Sequence, residues 1–87
     1  MNERQMRDWM KESLGRLKTL RDEIRVDIHL AGMEARDKWK ELEPVMRDAE
    51  KLADEVTEVS QRTMEDLVER FRGFRESLRH HRPSGQT

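Results

Sequence analysis

Histidines, carboxylates and hydroxyls are the side chains here whose types and spacing could do chemistry, and the 87-residue chain contains no cysteine. That removes a thiolate nucleophile, a thiolate metal ligand and any disulfide, and nothing favours an oxidising compartment. A metal centre inside a helical bundle needs a glutamate three residues before a histidine. Here Val26 stands three before His29, and Ser77 three before His80. His80 and His81 are adjacent, so on a helix they point in different directions, and solvated end residues are the plainer reading. His29 borders apolar residues, where a pH switch across an interface is conceivable and a place on an interface rim is the simpler account. Ser13 and Ser60 fall at apolar-stripe positions, where packing explains them. There is no glycine-rich phosphate loop. The acids alternate with bases at helical spacing, as Asp22 does between Arg21 and Arg25, which describes a solvated, salt-bridged face. The sequence thus predicts no catalytic residue, no bound metal and no cofactor, and a protein that is not an enzyme.

Two sets of residues could instead make contacts. Val26, Leu30 and Met33 lie within about 60° of one another around a helix, opposite Ile24, Ile28, Ala31 and Ala35. Three apolar side chains together on the outer face predict an oligomer interface, with His29 and Gly32 beside them. Gly32 in a helix interior would cost about 1 kcal/mol relative to alanine, and close backbone approach at an interface would account for it. The second set is the arginines Arg70, Arg72, Arg75, Arg79 and Arg82, interleaved with Leu67, Phe71, Phe74 and Leu78. Such a segment could lie on an anionic membrane or touch nucleic-acid phosphates. The same apolar residues also continue the core stripe, so core packing ranks ahead of both.

The elements that carry these residues are written in the apolar spacing. Met6, Trp9, Ser13, Leu17, Leu20, Ile24, Ile28, Ala31, Ala35, Trp39 and Leu42 recur in steps of 3 and 4. Val45, Ala49, Leu52, Val56, Ser60, Thr63, Leu67, Phe71, Phe74 and Leu78 continue the pattern. Met6, Leu17, Ile28 and Trp39 are each 11 apart, as are Val45, Val56, Leu67 and Leu78. An 11-residue repeat is about 3.67 residues per turn, which predicts nearly straight helices or a slight right-handed coiled coil. Pro44 at the midpoint suits the first turn of a second helix.

The expected fold is therefore all-α, an antiparallel two-helix hairpin with helix 1 over about 3–42 and helix 2 over about 45–80. Residues 1–82 form one domain, and 83–87 a disordered tail. One long helix kinked at Pro44 is the rival. Folding at Pro44 would set Trp39 against Ala49, Ala35 against Leu52, Ala31 against Val56 and Ser13 against Phe74, large facing small. A two-helix hairpin has one seam and seldom folds alone, so two hairpins are expected to pair as a four-helix bundle.

Charge and hydropathy bound the partners. Charged residues make up 43% of the chain, apolar residues 33%, and the net charge is −1. Glu41 to Glu58 is acidic, and Arg70 to Arg82 is basic, which complements a helix C-terminus. No apolar run approaches the roughly 18 residues needed to cross a bilayer, and "MNERQMRDWMKE" has no signal-peptide core. A cytoplasmic homo-oligomer, a dimer above all, or a complex with another protein is expected, with membrane and nucleic-acid contact ranked behind. The 11-residue amphipathic repeat over about 6–78 resembles that of exchangeable apolipoproteins, although the repeated prolines of that family are lacking. The run "LRDEIRVDIHLAGMEARDKWKELEP" is more similar to small bacterial helical proteins described as apolipoprotein-like. That resemblance implies a bacterial, cytoplasmic protein and no catalytic residue.

Overall fold

The computed structural model describes residues 2–80, with His80 described by its backbone alone. Four α-helices account for nearly all of it: α1 Glu3–Ile28, α2 Met33–Leu42, α3 Val45–Asp54 and α4 Glu58–His80. Each boundary has a local cause. Asn2 opens α1 with a reciprocal cap, its side chain accepting from the Gln5 amide at 2.8 Å while the Gln5 side chain accepts from the Asn2 amide at 3.2 Å. At the other end, Leu30 and Ala31 donate back three residues to Asp27 and Ile28, tightening the last turn. Arg36 then reaches back from α2 and donates to the Ile28 carbonyl at 3.4 Å and the His29 carbonyl at 3.0 Å. A cation on terminal carbonyls also suits the negative end of the helix dipole.

Pro44 does not reverse the chain. Glu43 (φ −55°, ψ −43°) and Pro44 (φ −62°, ψ −19°) are both right-handed helical, so α3 continues from α2 as a broken middle helix. Proline has no N–H to donate to the preceding turn, and the bonds that follow, Met46 to Glu43 and Arg47 to Pro44, span three residues, both at 3.1 Å. The second true reversal lies at residues 55–57. There Thr57 caps α4: its hydroxyl accepts from the Ser60 amide at 3.1 Å, and Ser60 Oγ accepts from the Thr57 amide at 3.0 Å. The Ser60 hydroxyl also approaches the Glu55 and Thr57 carbonyls, so one buried side chain knits the turn.

Ion pairs give the direction of the helices. Arg75 donates to Glu23 at 2.7 Å, and Arg79 lies 4.0 Å from Asp27. Both pairs join residues 52 apart in sequence, so α1 and α4 run parallel in one register. The α2–α3 segment returns antiparallel alongside this pair, with Trp39 against Phe71 (5.7 Å, edge-on) and Phe74 (5.9 Å, stacked). The result is an up–down–up bundle with extents of 51 × 20 × 17 Å.

Met10, Leu17, Ile24, Ala49, Met64 and Phe71 are completely buried, joined by Leu20, Trp39, Met46, Leu67, Val68 and Leu78. Every position of the 11-residue stripe is buried or half-buried. Each large apolar side chain taken fully from water contributes about 1.5–3 kcal/mol.

The expected hairpin, with helix 1 over 3–42 and helix 2 over 45–80, does not form. The chain reverses at 29–32 and 55–57 instead. Pro44 breaks the middle helix without turning the chain back, whereas the capping groups stand at the other two places. The expected facing pairs fail with it, since Trp39 packs on Phe71 and Phe74 rather than on Ala49. A third helical segment also gives each helix two neighbours. That widens the buried arc and covers Met10, Met46, Met64 and Val68, which lie off the stripe. The predicted tail at 83–87 lies outside the described residues.

Candidate functional site

The α1–α2 reversal carries the surface that stands out. Val26 ends α1 on the side away from Ile24 and Ile28, and is 70% exposed. Leu30 in the turn is 66% exposed, and Met33, the first residue of α2, 79%. Among the described residues the one other large apolar side chain this exposed is Val59 (74%), in the first turn of α4 and so at the opposite end of the rod. His29 is exposed beside the patch, its carbonyl held by Arg36.

Gly32 is not in a helix interior. It is the N-cap of α2, extended at φ −75°, ψ 174°, and no side chain caps that end. A Cβ there would meet nothing within 4 Å, so neither backbone conformation nor packing within the chain requires glycine.

Next to the patch is a cleft of about 330 Å³ beneath α2. Leu30, Ala31, Ala35, Phe74 and Leu78 form its apolar wall, and Asp27, Glu34, Lys38 and Ser77 its polar margin. The cleft exists because α2 is lightly packed: Trp39 is its one buried residue. The stripe spacing places Ala31, Ala35, Phe74 and Leu78 in a closed seam, whereas in the structure they line an open cleft. The signal for it is the pair of alanines, which leave room opposite Phe74.

The arginine face is a different surface from the expected one. Arg72 lies 3.3 Å from Glu69, Arg75 2.7 Å from Glu23 and Arg79 4.0 Å from Asp27. Acids of α1 and α4 thus interleave with the basic side chains. Arg70 is exposed, and Arg82 lies outside the described residues. Leu67, Phe71 and Leu78 point into the bundle, which leaves half-buried Phe74 as the one aromatic near that face with accessible surface. Arg75 Nε is buried without a hydrogen-bond partner, so this arginine is held by its Glu23 contact on one arm.

Among the described residues no group of three or more histidines, cysteines or carboxylates could hold a metal ion, and no helix is long and apolar enough to cross a membrane. The side chains of His80 and His81 lie outside what the structure describes. No protein-family model, no curated protein and no solved structure matches this chain.

Proposed function

We propose that this chain is a non-enzymatic association module that works through protein–protein contact at the α1–α2 end, with a second copy of itself as the first partner. The observation that carries this is the exposure of Val26, Leu30 and Met33 together, at 70%, 66% and 79%, on a bundle whose other large apolar residues are almost all covered. Clustered apolar exposure of this kind marks contact surfaces more often than scattered residues do. His29 and Gly32 flank the patch and would lie at its margin. A dimer of this type joins two complete three-helix units rather than completing one four-helix core. A lipid-surface role draws less support, because the amphipathic stripe faces inward and the bundle would have to open at both reversals to present it.

The test is the mass in solution. Wild type should sediment as a dimer at micromolar concentration, and Leu30→Glu should sediment as one chain with its helix content kept, because an unpaired charge is costly to bury. Lys18→Glu, away from the patch, should leave the mass unchanged. A wild type that stays monomeric at high micromolar concentration rejects self-association and turns the search to a different protein partner.

A further inference from the structure

We propose that the cleft beneath α2 receives Met33 of a second copy, so that two chains pair about a two-fold axis with each methionine seated in the other's cleft. The proposal rests on the self-association reading above and adds the seat. Its first support is the placement of knob and hole. Met33 projects from the first turn of α2, 79% exposed and outside the cleft wall, while Leu30 belongs both to the patch and to that wall. A projection and a recess side by side on one surface complement themselves under a two-fold axis, because each contact is made twice.

Shape and chemistry select the occupant. A cleft of about 330 Å³ has room for an unbranched thioether and part of a neighbour. Methionine adapts to irregular apolar gaps, and the half-buried Phe74 ring in the wall offers the sulfur–aromatic contact it favours. Leu30 cannot be the knob for a recess it helps to build. Val26 is branched at Cβ and is not part of the recess.

Charge points the same way. Of the charged residues on the margin, Asp27 already faces Arg79 at 4.0 Å within the chain, which leaves Lys38 and Glu34, both exposed and one helical turn apart on α2. A two-fold partner can set its Glu34 against Lys38 and its Lys38 against Glu34. A uniformly acidic or uniformly basic peptide would match one of these and repel the other. Area adds a constraint. Val26, Leu30 and Met33 together expose a few hundred Å², whereas a standard stable interface covers about 800 Å² per partner. The patch alone falls short, and the cleft wall is the adjoining apolar surface able to make up the difference.

The absence of cysteine makes the test clean. Met33→Cys and Ser77→Cys proteins are mixed in equal amounts and oxidised mildly, and the products are resolved by mass spectrometry. Ser77 is exposed on the cleft margin, so the mixed Met33→Cys/Ser77→Cys disulfide should form at least tenfold faster than either homodimer. A protein of dimer mass in which Met33→Cys links to itself, or to a Lys18→Cys control, as readily as to Ser77→Cys overturns the seat and leaves self-association standing. A monomeric wild type overturns both. As an independent check, Ala35→Trp fills the recess and should weaken dimerisation at least tenfold while the monomer keeps its helix content. Undiminished dimerisation of a folded Ala35→Trp protein also overturns the seat.

Discussion

Single polar side chains decide where this chain turns, and Ser60 is the clearest. Its hydroxyl is buried at the start of α4, accepts from the Thr57 amide and hydroxyl, and approaches the Glu55 and Thr57 carbonyls. Ser60→Ala would leave those groups unpaired in a part-buried turn, at a cost of about 1–2 kcal/mol. A lowered urea midpoint with unchanged slope is the expected result. Gly32 predicts the opposite sign. Its extended backbone is open to any residue, a Cβ meets nothing, and α2 lacks a side-chain cap. Gly32→Ser would supply that cap and restrict the unfolded chain, raising stability by about 0.5–1 kcal/mol in the same measurement. A loss of stability would mean that Gly32 has a packing role within the chain.

At the scale of the helices, α2 is the weakest member. It buries Trp39 and half-buries Ala35 and Leu42, and it is bounded by a reversal on one side and Pro44 on the other. Local opening follows low burial, so α2 amides should exchange with deuterium before those in the middle of α1 and α4. Trp39 holds α2 through its two phenylalanine contacts. Trp39→Ala should therefore cost about 3–5 kcal/mol, a large part of the stability of a domain this size. Loss of protection would be expected in α2 first. Equal loss in every helix would show that α2 is not a separable unit.

For the whole molecule, the parallel run of α1 and α4 is the feature that most constrains models of assembly. Residue 76 on α4 stands level with residue 24 on α1, by the register of the Arg75–Glu23 and Arg79–Asp27 pairs. Spin labels at Lys11 and Glu76 should therefore be offset by about 20 Å along the axis. An antiparallel hairpin closed at Pro44 would bring them side by side, about 10 Å apart. Distances measured with labelled protein diluted in unlabelled protein separate the two folds. Inward placement of Leu67, Phe71 and Leu78 also predicts that anionic vesicles neither bind the protein nor raise its helix content. Strong flotation with vesicles would mean that the bundle opens on lipid.

Helix formation and the identity of most core residues were legible in the sequence, because the 3.6-residue period is a property of each helix by itself. Spacing alone marked Leu17, Ile24, Leu67 and Phe71 for burial, and Val26, Leu30 and Met33 for the outer face. The stripe looks the same whichever helix it packs against, so the partner of each residue was not written there. Trp39 meeting Phe71 and Phe74 rather than Ala49 follows from where the chain reverses. Those reversals depend on groups acting across space: Arg36 reaching back to the carbonyls that end α1, and Thr57 and Ser60 exchanging bonds at the start of α4. Pro44 reads equally well as a helix start or a chain reversal, and only packing on α1 and α4 selects between them. The same packing covers Met10, Met46, Met64 and Val68, because a helix between two neighbours buries a wider arc than a helix with one.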